Sequence, residues 1–194
     1  MFALAAHKQP SQEKQLVQLF ADFQFLAKLL VKEVPQVTER TNEETTQLLE
    51  QIGSINIRNG KVVILQEKDI NFSGNMWRPI LTAYWITCQF FVNYPDGNHE
   101  RPLSEIVKQA QDKAAELVLT GDVKFYEVLS LDLLRNSVMA LVELRVLEAT
   151  KSVDGAVLIS VPSSAKVTET CQKIGEFLDL PSNTSLFSSH LSKL

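Results

Sequence analysis

GSINIRNGKVVIL, residues 53–65, decides the fold. Ile55-Asn56-Ile57-Arg58 and Lys61-Val62-Val63-Ile64-Leu65 are β-branched runs. Asn59-Gly60 between them supplies the two residues that tolerate positive φ in a tight hairpin turn. The flank before the hairpin is helical. Thr41 with Glu44 three residues on is a capping-box pattern, Leu48, Leu49 and Ile52 follow at helical spacing, and Gly53 can end that helix. Further upstream, residues 11–34 place Leu16, Leu19, Phe20, Phe23, Leu26, Ala27, Leu30 and Val34 three and four apart. That spacing predicts a second helix, which Pro35 stops. The first unit, about residues 11–66, is therefore expected to run helix, helix, hairpin.

The same order recurs downstream. Ser104 is expected to cap a helix to Leu119, with Ile106, Val107, Ala110, Ala114, Leu117 and Val118 on one face and Gly121 after its end. Residues 131–147 predict the next helix, with Leu131, Leu134, Val138, Leu141 and Val142 inward and Ser130 at its cap. Asp132 suits the positive end of the helix dipole. Val146-Leu147-Glu148-Ala149 and Ala156-Val157-Leu158-Ile159-Ser160-Val161 then flank Asp154-Gly155 as a second hairpin. Leu144-Arg145-Val146-Leu147 falls where Gly53-Ser54-Ile55-Asn56-Ile57 stands in the first unit.

The expected fold is mainly α with two short β-hairpins (α+β). It comprises two winged-helix-like units, the second at about 104–161, joined by a central apolar helix at 76–92 (MWRPILTAYWITCQFFV) with Pro79 in its first turn. Tyr94-Pro95-Asp96-Gly97-Asn98 is a turn cluster. A last helix is expected at 165–178, carrying Val167, Cys171, Ile174, Phe177 and Leu178 on its face. Residues 1–180 then form one helical region. Residues 181–194, with 5 serines in 14 positions, form a flexible tail.

Composition removes several function classes. With 194 residues, 45% of them hydrophobic, the chain can bury a core. The net charge is -4, and each side of Gly97 holds more acidic than basic residues, 10 against 9 and then 13 against 10. Nucleic acid is therefore not an expected partner. The two cysteines, Cys88 and Cys171, cannot make a CxxC pair or a four-ligand zinc cluster and are expected as reduced core thiols. His7, His99 and His190 lie in no HExxH spacing, and no GxGxxG, GxxxxGK[ST] or GxSxG occurs. No metal or cofactor site and no catalytic residue is expected. The apolar start, Met1-Phe2-Ala3-Leu4-Ala5-Ala6, has no basic n-region and is too short for a secretory signal. Residues 76–92 are at the lower limit for a membrane span and carry Arg78 and Gln89, so a buried core helix is expected. Were part of it exposed, Trp77, Arg78, Tyr84 and Trp85 are the candidate docking surface, for a membrane face, an acyl chain or a partner domain.

The chain ends Ser192-Lys193-Leu194. This small–cationic–apolar tripeptide with a free carboxylate is a peroxisomal address, read by an import receptor on an exposed tail. Three further segments carry a resemblance: Leu4-Ala5-Ala6-His7-Lys8-Gln9-Pro10 leading into LVQLFADFQFLAKLLVKE, then MWRPILTAYWITCQFF, then FYEVLSLDLLRNSVMALVELRVLEATKS. In order and spacing they resemble the C-terminal region of the glycerol-3-phosphate and dihydroxyacetone-phosphate acyltransferases. They cover most of residues 4–160. In that family the branch acting on dihydroxyacetone phosphate is peroxisomal and ends in such a tripeptide. The resemblance implies acyl transfer from acyl-CoA to dihydroxyacetone phosphate, in ether-lipid synthesis.

The family's catalytic motif is a histidine followed five residues later by an aspartate, the histidine serving as general base. Here His7 meets Gln12 at that offset, His99 meets Ser104, and His190 has no residue so far downstream. The family's phosphate-binding arginine motif has no counterpart either. The expectation is a non-catalytic C-terminal portion, as a fragment or short isoform, inactive alone. Its expected partners are a catalytic acyltransferase domain, the import receptor and a peripheral membrane contact. The alternative is a stand-alone winged-helix-like interaction module imported into peroxisomes.

Overall fold

The computed structural model describes residues 5, 13–34, 42–51, 53–92 and 100–178. The first unit runs β1 (Glu13–Gln15), α1 (Leu16–Leu29), α2 (Asn42–Gln51), β2 (Ile55–Arg58), β3 (Lys61–Ile64) and α3 (Glu67–Val92). The second runs β4 (Arg101–Pro102), α4 (Leu103–Leu119), a 3₁₀ turn (Tyr126–Leu129), α5 (Leu131–Glu143), β5 (Glu148–Lys151), β6 (Val157–Ser160) and α6 (Ser164–Phe177). The chain is mainly helical with two small antiparallel sheets, as its patterning predicts.

Each hairpin gains a third strand that periodicity does not announce. β1 pairs antiparallel with β3, Gln15 opposite Lys61, and β4 pairs with β6, Arg101 opposite Ile159. The sheet orders are β1-β3-β2 and β4-β6-β5. The repeat is therefore strand, helix, helix, hairpin, helix. In both units the leading strand docks on the second strand of the hairpin. Residues 13–15 correct the expectation of a helix from residue 11. They are polar, and the hairpin edge offers their backbone a ladder of hydrogen bonds. Leu16 N–H then donates to the Gly60 carbonyl at 2.9 Å, so the helix start is held by the hairpin tip. That tip has positive φ at Asn59 (51°) and Gly60 (73°), the primed turn that the pair predicts.

The second helices of the two units end alike. Gly53 N–H donates to Glu50 O and Ser54 N–H to Leu49 O, both at 3.0 Å; Arg145 N–H donates to Val142 O and Val146 N–H to Leu141 O, both at 2.9 Å. These are paired Schellman caps. Gly53 (φ 72°) and Arg145 (φ 56°) hold the same left-handed position. The matching of the two segments is thus real, but α5 stops at Glu143, short of residue 147. Val146 and Leu147 are buried in the cap, and β5 begins at Glu148.

Three other expectations shift. The apolar helix starts at Glu67, nine residues early, with Pro79 inside it. Proline has no N–H for the Asn75 carbonyl, and the polar stretch before it lacks an apolar periodicity, so the sequence hides the first half of α3. α4 starts at Leu103 with Pro102 at the cap position, leaving Ser104 inside the first turn. Leu131 is exposed, whereas Leu133 and Ser137 are buried on α5. The Ser130 cap holds, its hydroxyl accepting from Leu133 N–H at 3.4 Å. The turn cluster at 94–98 lies outside the described residues.

The core centres on the second half of α3. Leu81, Thr82, Ala83, Tyr84, Trp85, Ile86, Thr87 and Cys88 are all buried. A helix buried on every side has no need of a polar face, which explains its uniform apolarity. It packs against α4, the 3₁₀ turn, α5 and α6. So α3 begins as the last helix of the first unit and ends as the central post of the second. Among the described residues no helix is long and apolar enough to cross a membrane.

Candidate functional site

The residues expected to form a docking surface divide along α3. Trp77 and Arg78, in its exposed-to-buried transition, are half-buried. Tyr84 and Trp85 are 1% and 3% exposed and belong to the core. Burial removes these two rings from any surface of the folded chain. A docking face on α3 would therefore draw on the turns up to Trp77 and Arg78.

Tyr84 is instead the centre of a polar strut. Its hydroxyl donates to Glu33 Oε1 at 3.0 Å, and Asn136 Nδ2 on α5 donates to the same oxygen at 3.1 Å. Beside them Lys32 forms an ion pair with Glu143. Burial pushes the Tyr84 phenol well above the ordinary tyrosine range, and the Glu33 charge, its hydrogen bond and the Glu143 charge push it further. The strut links the turn after α1, the middle of α3 and α5. Periodicity could not reveal Glu33 or Asn136, because each reads as one more polar residue on an amphipathic helix.

A second buried polar contact lies one turn along. Ser137 Oγ lies 2.6 Å from Thr87 Oγ1, and the Thr87 hydroxyl donates to the Ala83 carbonyl at 3.0 Å. Next to it, the Cys88 thiol donates to the Val167 carbonyl of α6 at 3.5 Å. A hydrogen bond with Cys171 and complete burial push the Cys88 thiol well above its usual value. Both cysteines are free and buried, as core thiols. Among the described residues no group of three or more His, Cys, Asp and Glu side chains could hold a metal ion. His7, His99, His190 and the tripeptide Ser192-Lys193-Leu194 lie outside the described residues.

The exposed apolar side chains sit elsewhere. Among them, Leu65, just before α3, and Phe72 and Met76, in its first three turns, are 57%, 71% and 65% exposed, while Val17, Leu119, Tyr126 and Val153 are exposed in other parts of the chain. Sequence periodicity missed Phe72 because it began the helix at Met76.

Residues 1–150 match the family described as the glycerol-3-phosphate acyltransferase C-terminal region. A dihydroxyacetone phosphate acyltransferase of Mus musculus is 29% identical over 183 residues, covering 89% of this chain and 26% of the mouse protein. The chain thus spans about a quarter of the length of that relative.

Proposed function

Because the chain belongs to the family defined by the C-terminal region of glycerol-3-phosphate acyltransferase, we propose that it is the non-catalytic supporting part of an enzyme that transfers an acyl group from acyl-CoA to dihydroxyacetone phosphate. One observation carries this reading. The family match spans residues 1–150 and describes a C-terminal region, while no histidine in the sequence has an aspartate five residues on. The likeness to the mouse dihydroxyacetone phosphate acyltransferase favours dihydroxyacetone phosphate over glycerol 3-phosphate as the acceptor. The partner is then an acyltransferase domain. Ser192-Lys193-Leu194 would be read by an import receptor, placing the complex in the peroxisome, in the matrix or at the inner face of the membrane. Peripheral membrane contact fits a lipid product, and the net charge of -4 disfavours nucleic acid.

The test is reconstitution. The purified 194 residues, given acyl-CoA and dihydroxyacetone phosphate, should show no turnover. Added to a separately expressed acyltransferase domain from the same organism, they should raise its activity or its thermal stability. Turnover by the chain alone, or a domain indifferent to its presence, would overturn the reading. For localisation, a fluorescent fusion should form puncta that disappear when Ser192, Lys193 and Leu194 are deleted. A second reading, a stand-alone winged-helix-like interaction module imported into peroxisomes, is favoured by the three-stranded sheet that each unit carries. It requires puncta together with failure to bind the acyltransferase domain.

A further inference from the structure

We propose that the face of α3 carrying Phe72 and Met76 is the surface on which the acyltransferase domain docks. This deepens the reading above and rests on it. The face is one stripe of the helix. Phe72, Met76, Pro79 and Ala83 recur at intervals of four, three and four, so they lie above one another on the same side. Along that stripe the environment changes steadily. Phe72 and Met76 are 71% and 65% exposed, Pro79 is half-buried and Ala83 is 0% exposed. The inner end is buried in the core, on a helix that packs against α4, α5 and α6 of the second unit. The outer end continues the same apolar seam out of the protein, with Leu65 57% exposed just before the helix.

Single exposed apolar residues are ordinary on a protein surface, but a stripe continuous with an internal interface is not scattered. Its charges point to the occupant. Residues 65–80 carry Glu67, Lys68, Asp69 and Arg78, which sum to zero. A stretch of balanced charge gives no field to hold anionic lipid headgroups, whereas apolar anchors in such a stretch suit the surface of another folded domain. The length argument agrees: the chain aligns with 26% of the mouse relative, which leaves three quarters of that protein's length for the partner domain proposed above.

The experiment measures binding of the full 194-residue chain to the acyltransferase domain from the same organism, by interferometry. Three proteins are compared: wild type, Phe72→Ser/Met76→Ser, and a control, Leu119→Ser/Val153→Ser, which removes exposed apolar groups from the second unit. The expected result is at least tenfold weaker binding for the first variant and wild-type binding for the control, with all three melting alike. Wild-type binding by Phe72→Ser/Met76→Ser overturns the surface and leaves the proposed function standing. Equal loss in the control also overturns it. No binding by the wild type overturns both. Should the variant misfold, hydroxyl-radical footprinting of the wild type decides: Met76 should be protected in the complex, and unchanged oxidation overturns the assignment. Wild type that sediments with phosphatidylcholine vesicles and ignores the domain would transfer the face to a lipid surface.

Discussion

Glu33 Oε1 and the Tyr84 hydroxyl lie 3.0 Å apart, joining positions 51 residues distant in sequence. Asn136, 103 residues from Glu33, shares the same oxygen at 3.1 Å. One carboxylate thus fastens the first unit to the central post and to the second unit. Tyr84 is 1% exposed, so its hydroxyl could not recover a lost partner from solvent in the folded chain.

Stability at alkaline pH should report this contact. The phenol is pushed up, by burial first and then by Glu33, from an ordinary value of 10.0. The unfolded chain therefore releases its tyrosine proton near pH 10, while the folded chain holds it. Stability from the neutral phenol is complete below pH 10 and is lost progressively as pH rises beyond it. Denaturant titrations between pH 9 and 11.5 should show a steeper loss for wild type than for Tyr84→Phe, with lysine titration common to both. Parallel curves would mean that Tyr84 ionises as freely folded as unfolded.

Removing opposite ends of the strut should cost unequal amounts. Tyr84→Phe deletes one donor and leaves Glu33 bonded to Asn136, a loss of about 1 kcal/mol. Glu33→Ala strands the buried Tyr84 hydroxyl and the Asn136 amide together, a loss of about 2–3 kcal/mol. The expected order of melting temperatures is wild type, Tyr84→Phe, Glu33→Ala. A Glu33→Ala protein as stable as Tyr84→Phe contradicts the shared acceptor.

Cys88 and Cys171 should be silent to thiol reagents while the chain is folded. They are 0% and 1% exposed, and the Cys88 thiol, held by Cys171 and by burial, is kept from forming the reactive thiolate. Ellman's reagent should find no thiol in native buffer and both thiols in guanidinium. Rapid modification of either cysteine in native buffer would show that the α3–α6 seam opens.

The paired helix ends make a signed prediction. Arg145 occupies at φ 56° the place that Gly53 occupies at φ 72°. A side chain in that region costs about 1 kcal/mol, which glycine avoids. Arg145→Gly should therefore raise stability by about 0.5–1 kcal/mol. The Arg145 carbonyl, which accepts from Lys166 Nζ at 2.6 Å, is backbone and survives the change. Gly53→Ala should lower stability by about 1 kcal/mol. Chemical denaturation of the two variants checks both signs.

The residues made some of this visible and hid the rest for identifiable reasons. Asn59-Gly60, Gly53, Ser130 and the apolar faces of α4 and α6 signal locally, so the helix–helix–hairpin order can be derived from the chain alone. β1 and β4 cannot, because three polar residues and an Arg-Pro pair become strands only when a hairpin edge is already present. The outer half of α3 was hidden by its polarity and by Pro79, and with it the exposed Phe72. Aromatic content suggested an interface at Tyr84 and Trp85, yet burial depends on what the second unit brings to α3, and no local pattern records that. The family resemblance was legible because its three segments keep order over most of the chain.

The hydroxyl pair in the core gives the last prediction. Thr87 and Ser137 are each 0% exposed, and each carries one hydroxyl proton. Thr87 uses its proton on the Ala83 carbonyl. The Ser137 hydroxyl reaches two acceptors, Thr87 Oγ1 at 2.6 Å and the Leu134 carbonyl at 2.7 Å, but can donate to only one at a time. Thr87→Val keeps the shape and leaves Ser137 the Leu134 carbonyl, so no donor is stranded. Its cost should stay under about 1 kcal/mol. In Thr87→Val/Ser137→Ala the second substitution removes a hydroxyl that has already lost its partner across the helices. The double variant should therefore be more stable than the sum of the single losses allows, by about 0.5 kcal/mol or more. Strict additivity in a double-mutant cycle would show that the 2.6 Å contact contributes nothing to joining α3 and α5.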